Sequence, residues 1–245
     1  MALINHRARE IQFKLVYYGP GLGGKTTNLR VLYERLPAER RGRMISIATD
    51  HERTLFFDFL PIDLGTVNGL ATRIHLYTVP GQVYYRLSRR AVLQGVDGLV
   101  FVADSHPARE GANLDSIADL EQHLATLGHS PAQIARLPRV FQWNKRDLPG
   151  ALPVERLSAR LNRGGWPEFE AVASEGKGVS ETLRAACKAV LARLSGQTVA
   201  RAPAAAGGAA TASGPAAGTA SGARQGATAG VAARPASGAA RGVRA

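Results

Sequence analysis

Hydrophobic positions follow two periods along the first 195 residues. IQFKLVYY (11–18) reads as a strand. Leu29, Leu32, Tyr33 and Leu36 recur at helical spacing until Pro37 ends the run. LFFDFLPIDL (55–64) and TRIHLYTV (72–79) read as strands on either side of Gly65–Gly69, so a hairpin is expected there, with Pro61 limiting the ladder of its first arm. GLVFVAD (98–104) is an unbroken apolar run, as in a strand covered on both faces. An amphipathic helix over 112–127 comes next, then a strand RVFQWN (139–144) and a strand FEAVA (169–173). Val179, Leu183, Ala186, Val190 and Leu194 line a last helix. Strands alternating with helices predict a three-layer α/β fold, its mostly parallel central sheet flanked by helices. Ligands on such sheets bind at the carboxyl ends of the strands.

The pattern stops near Gly196. From there to Ala245 the chain is mostly Ala, Gly, Pro, Ser and Thr, with Arg201, Arg224, Arg234, Arg241 and Arg244 and no acid. Such a segment cannot bury enough apolar surface to offset its ordering entropy. Two parts are therefore expected: a folded domain over 1–195 and a disordered basic tail over 196–245. The formal charge of +12 raises nucleic acid and anionic lipid as partners. The tail's charges are widely spaced and no aromatic is interleaved for stacking, so no specific nucleic-acid partner is expected. No apolar stretch is long enough to span a bilayer. MALINHRARE lacks the apolar centre of a signal peptide, Ala2 offers no glycine for myristoylation, and no C-terminal prenylation box is present. A cytoplasmic protein without a stable membrane anchor is expected. Cys187 has no partner for a disulfide and shares a helical face with Leu183, Val190 and Leu191, so a buried thiol is expected. The histidines show no metal-ligand spacing, and His75 reads as a packed strand residue.

The chemistry lies in the turns. The first strand runs directly into GPGLGGKTTN (19–28), in which Gly19, Gly24, Lys25 and Thr26 fit G-x-x-x-x-G-K-[ST]. Gly19, Gly21, Gly23 and Gly24 let the backbone curl so that its amides face phosphate oxygens, and the loop delivers those oxygens to a helix N-terminus that opens on Thr26 and Thr27. Lys25 is expected on the β- and γ-phosphates and the Thr26 hydroxyl on Mg²⁺. NKRD (144–147) closes the strand RVFQWN. Asp147 can accept two hydrogen bonds from N1 and N2 of guanine, Asn144 can bond the base's acceptor edge, and the Lys145 stem can cover the ring. Adenine offers no such donor pair. Lysine is rare in this chain, confined to positions 14, 25, 145, 177 and 188, and two of these fall in the two motifs. VASEG (172–176) is expected to bring a backbone amide, that of Ala173, to the guanine oxygen.

LYTVPGQVYYR (76–86) leaves its strand beside the phosphate loop. Pro80 has no amide, so Gly81 is expected to face a γ-phosphate and Gln82 to orient an attacking water. Such a turn has reason to differ between triphosphate and diphosphate states. The usual pattern opens on Asp, but Thr78 stands there, so metal binding is expected to be weaker or to rest more on Thr26 and a second threonine. In ATDHERTLFFDF (48–59) that second metal ligand is expected at Thr54, with Thr49 as the competitor, and Arg53 is a cis cation for charge developing in the transition state.

Residues from about 10 to 195 resemble the bacterial MglA-type (mutual gliding motility) small Ras-like GTPases. The matching runs are YYGPGLGGKTTNL, ERTLFFDFLPIDLG, LYTVPGQVYY, VDGLVFVADS, NKRDLP and ASEGKGV. Thr78 in TVPGQ is itself characteristic of that family. The resemblance implies a P-loop NTPase with a Ras-like G domain that binds GTP and GDP with Mg²⁺. Its hydrolysis would be slow without a roadblock-fold MglB-type activator that inserts no arginine. Arg53 and Gln82 match the family's own catalytic pair. A polarity switch recruited to a cell pole, with gliding or type IV pili as the output through further effectors, is implied likewise. The long tail departs from the family. An Arf-like switch is an alternative, since GKTT and NKRDLP suit that group, although Ala2 stands where it would carry an acylated glycine. A pseudo-GTPase scaffold that binds GTP without useful turnover is another.

Overall fold

The computed structural model describes residues 2–5, 7–47, 57–80 and 86–196. The proposed tail from 197 onward lies outside the described residues, so the boundary drawn at 195/196 is bounded only by the last helix, which ends at Leu194. In chain order the strands are β1 (Leu3–Asn5), β2 (Glu10–Tyr18), β3 (Ile45–Ile47), β4 (Phe57–Val67), β5 (Leu70–Thr78), β6 (Gly98–Asp104), β7 (Arg139–Asn144) and β8 (Glu168–Glu170). The helices are α1 (Lys25–Arg35), α2 (Arg86–Leu93), α3 (Glu110–Thr126), α4 (Pro131–Arg136), α5 (Val154–Leu161) and α6 (Val179–Leu194). They surround one mixed sheet of order β3-β4-β5-β2-β6-β7-β8, with β1 paired to the start of β2.

The run β5-β2-β6-β7-β8 is parallel, as helix-linked strands must be. β4 is antiparallel to β5, and β1 and β3 are antiparallel to their partners. The β4–β5 hairpin closes on Asn68-Gly69, both at positive φ (50° and 77°), a pairing that suits the twist of a tight hairpin. A bulge between Asp63 and Thr66 falls at Gly65.

Alternation sorts the side chains of the central strands. Phe13, Leu15 and Tyr17 of β2 and Val100 and Val102 of β6 face one core layer with α1 and α6. Val16, Tyr18, Leu99, Phe101 and Ala103 face the other, with α2, α3 and α5. Every residue of β6 and β7 is buried; β6 accordingly reads as a continuous apolar run, whereas β7 buries Arg139, Gln142 and Asn144 among its apolar residues. Cys187 is buried in the first layer, where burial pushes its thiol up to about 12. His75 packs its ring against Phe59 with centroids 5.7 Å apart. Asn28, Gln142 and Thr182 form a buried polar bridge across that layer: Asn28 and Gln142 exchange amide bonds of 2.8 and 3.0 Å, and Gln142 donates to the Thr182 hydroxyl at 3.0 Å. That bridge fixes α1 on β7, so the helix that follows the glycine-rich loop is tied to the strand that runs into NKRD.

FEAVA corrects one expectation. The strand there is Glu168–Glu170, because β8 pairs only with Phe141–Trp143 of β7. The chain then turns away, and Ala173–Glu175 form a 3-10 turn at the ligand end.

Candidate functional site

β2, β5, β6 and β7 are parallel neighbours, so their carboxyl ends lie side by side. The turns that leave them carry Gly19–Gly24, Pro80, Asp104–Ser105 and Asn144–Asp147. In the phosphate loop Gly19 takes φ 142°, and a Cβ there would sit 2.2 Å from the Val102 carbonyl oxygen. Gly24 takes φ 100°, and its Cβ would sit 2.1 Å from Asn144 Nδ2. No side chain fits at either place.

The space left by Gly24 is filled by Asn144. This side chain donates from Nδ2 to the Gly23 carbonyl at 2.8 Å and accepts at Oδ1 from the Ala173 amide at 2.9 Å. One buried amide therefore joins the phosphate loop, the NKRD turn and the ASEG turn. Arg35, in the last turn of α1, adds a second tie by donating to the carbonyls of Gly176 (2.7 Å) and Glu175 (2.6 Å). Arg109 donates to the Gly21 carbonyl at 2.7 Å and pins the tip of the phosphate loop. Asp104, 1% exposed, accepts from Lys145 Nζ at 2.7 Å and lies 3.9 Å from Arg109 Nε. It thereby sets the lysine of NKRD, whose backbone is held at φ 65°.

Between these turns lies a pocket of about 200 Å³ lined by Leu22, Gly24, Thr27, Lys145, Asp147 and Ala173, with Asn144 behind. Asp147 lines it. Two residues are engaged differently from the expectation. Both polar atoms of Asn144 are used in joining turns, and the Ala173 amide expected on the guanine oxygen donates to Asn144.

Lys25 is 6% exposed and donates to the carbonyls of Gly19 (2.9 Å) and Pro20 (2.7 Å), within its own loop. Burial, then the Arg89 guanidinium and then that of Arg109, draw it down to about 7, with Asp58 opposing them. A phosphate would supply the anion that this ammonium lacks. Thr26, in the first turn of α1, donates its hydroxyl proton to Asp58 Oδ2 at 2.6 Å. Its lone pairs therefore remain for a cation, which fits the hard oxygen ligation of Mg²⁺. Among the described residues no cluster of His, Cys, Asp and Glu forms a metal site of its own. Arg53, Thr54, Thr49, Gly81 and Gln82 lie outside the described residues.

Asp58, Asp104 and Arg109 were not singled out from the sequence. Asp58 had a signal, since it shares the buried face of β4 with Leu60 and Ile62, where alternation calls for an apolar residue. Asp104 had another, an acid closing an apolar run. Arg109 had none.

No family model matches the chain. The chain is 52% identical over 194 residues to the mutual gliding-motility protein MglA of Myxococcus xanthus (strain DK1622), an alignment that covers 79% of this chain and 98% of the relative.

The shift of Lys25 has a measurable sign. Between about 7 and 10.5 the unfolded chain holds a proton that folded, nucleotide-free Lys25 has shed, so stability rises with pH across that window. Urea unfolding of the nucleotide-free protein at about pH 7 and about pH 9 should show a larger gain for the natural chain than for Lys25→Met. Equal gains would show that Lys25 keeps its proton in the fold.

Proposed function

The chain belongs to the MglA, or mutual gliding-motility, family, and on that premise we propose that it is a GTP-binding, GTP-hydrolysing switch controlling cell polarity and motility. The observation that carries the reading is the Asn144 amide, which joins a phosphate loop to a turn bearing Asp147 and Lys145 around one pocket. A phosphate-binding loop alone suits any nucleotide. Asp147 at the base end selects guanine, because only guanine offers it two adjacent donors.

On binding, phosphate oxygens take over Lys25 from the Gly19 and Pro20 carbonyls and favour its charged form. The loop amides and the N-terminus of α1 hold the remaining phosphate charge. Mg²⁺, held by Thr26 with Thr54, would neutralise charge on the β- and γ-phosphates. Gln82 orients the attacking water, the Gly81 amide faces the γ-phosphate, and Arg53 offsets charge developing in the transition state. Hydrolysis is slow until a roadblock-fold MglB-type partner sets these groups. The switch acts in the cytoplasm and at a cell pole, through motility effectors that read the triphosphate state. No helix among the described residues is long and apolar enough to cross a membrane.

Asp147→Asn tests the base. The variant should lose affinity for GTP and gain it for xanthosine triphosphate, because Asn presents a donor to guanine's donor edge. A retained preference for GTP in competition binding would remove NKRD from the site. Chemistry is tested separately in single-turnover assays with an MglB-type partner. Gln82→Leu and Arg53→Ala should both bind GTP and each lose roughly a thousandfold or more of the activated rate. Near-normal rates in both would place the chemistry on the partner, and loss in Gln82→Leu alone would discard the cis arginine.

A further inference from the structure

P-loop nucleotide hydrolases hold their cation with the loop's Ser or Thr and an Asp from a neighbouring strand. Here the strand beside the phosphate loop, β5, ends on Thr78, which brings no charge. The next strand does. β4 and β5 pair antiparallel with Phe59 opposite Tyr77, so one step further Asp58 stands opposite Thr78. We propose that Asp58 supplies from β4, through the Thr26 hydroxyl, the carboxylate that the cation site lacks at Thr78, and that Thr78 serves to position it. This inference rests on the reading of the site as a Mg²⁺–guanine nucleotide site.

The geometry gives each group one task. Asp58 is 8% exposed. Its Oδ2 accepts from Thr26 Oγ1 at 2.6 Å and from Thr78 Oγ1 at 2.9 Å, and its Oδ1 accepts from Ser46 Oγ at 2.7 Å. A carboxylate cannot donate, so all three hydroxyl protons point at Asp58. Thr26 is thus locked with its lone pairs turned to any cation beside the loop, and its oxygen is made more basic, as a carboxylate behind a metal ligand does. Thr78 also accepts the Asp58 backbone amide at 2.9 Å, so one hydroxyl fixes both the main chain and the side chain of Asp58. A hydroxyl is suited to that double role and a second carboxylate is not, because two adjacent buried anions would repel each other.

The charge balance points the same way. Among the described residues no Lys, Arg or His makes an ion pair with Asp58; its hydrogen bonds there come from neutral groups. Lys25 feels its field yet donates to loop carbonyls instead. A buried carboxylate with only neutral donors is costly, and a bound cation offsets that cost.

The test measures release of a fluorescent GDP from the full chain over a range of Mg²⁺ concentrations, with no hydrolysis step. Release in excess EDTA is measured for each chain, so that its response to Mg²⁺ is scaled to its own metal-free rate. The Mg²⁺ concentration that half-suppresses release should rise about ten- to a hundredfold, the usual effect of removing a carboxylate behind a metal ligand. The paired exchange Asp58→Ser with Thr78→Asp, which returns the acid to β5, should restore the response. A midpoint within about twofold of the natural one in Asp58→Asn would overturn the proposal. If Asp58→Asn does not fold, the exchange variant decides, a restored response supporting the proposal and a lost one overturning it. Failure of the natural chain to bind GDP in EDTA or Mg²⁺ would overturn the nucleotide reading itself, whereas normal GDP binding with an unmoved midpoint would overturn only the role of Asp58.

Discussion

Asn144 ends β7 with 2% of its surface exposed, and its amide spans the gap between three turns that are far apart in sequence. Nδ2 holds Gly23 and Oδ1 holds Ala173. The contact exists only because Gly24 has no Cβ, since one there would overlap Nδ2. The glycine before Lys25 and the asparagine before Lys145 are thus two halves of one constraint. It is satisfied because β2, β6, β7 and β8 run parallel in that order, which brings the turns leaving β2, β7 and β8 within the reach of one side chain. The pocket lined by Lys145 and Asp147 is what remains between turns held in this way. A buried amide left unpaired is costly, so the arrangement keeps all three turns together or none.

Around that tie the charges form two groups. On the base side, Asp104 holds Lys145 and approaches Arg109, which in turn pins Gly21. The carboxylate thereby links the NKRD turn to the tip of the glycine-rich loop. On the phosphate side, Lys25 and Asp58 are both buried and each is bonded to neutral groups of the protein. Arg89 and Arg109 lie close enough to disfavour the charge on Lys25. Arg89 also donates to the Pro80 carbonyl at 2.9 Å and to Asp119 at 2.6 Å, which anchors the start of the PGQ turn to α3. In the proposed reading, this half of the site takes an anion against Lys25 and a cation beside Thr26.

Much of this was legible because the turns are short and chemically demanding. Gly19 and Gly24 had to be glycine, Lys25 and Thr26 follow at a set spacing, and the unbroken apolar run of β6 announced a buried strand. What was missed depends on strand pairing. β1 and β3 are three residues each, too short for periodicity to register, and β8 stops after Glu170, where its pairing with β7 ends at Trp143. FEAVA contains the right residue types, but the Ala173 amide is drawn away to Asn144. The tie that Asn144 makes between turns was not legible either: its contacts run between segments, and a single turn read alone suggests only a ligand contact. Asp58 became meaningful only once the register of β4 against β5 set it opposite Thr78.

The central claim is that these turns form one guanine nucleotide site. It is tested most directly by equilibrium displacement of a fluorescent GDP from the purified chain in Mg²⁺ by unlabelled GDP, GTP and ATP. The account predicts one site per chain, with GDP and GTP displacing the label at comparable concentrations and ATP failing to do so even in large excess. Displacement by ATP as readily as by GTP, or no saturable binding of the label at all, would contradict it.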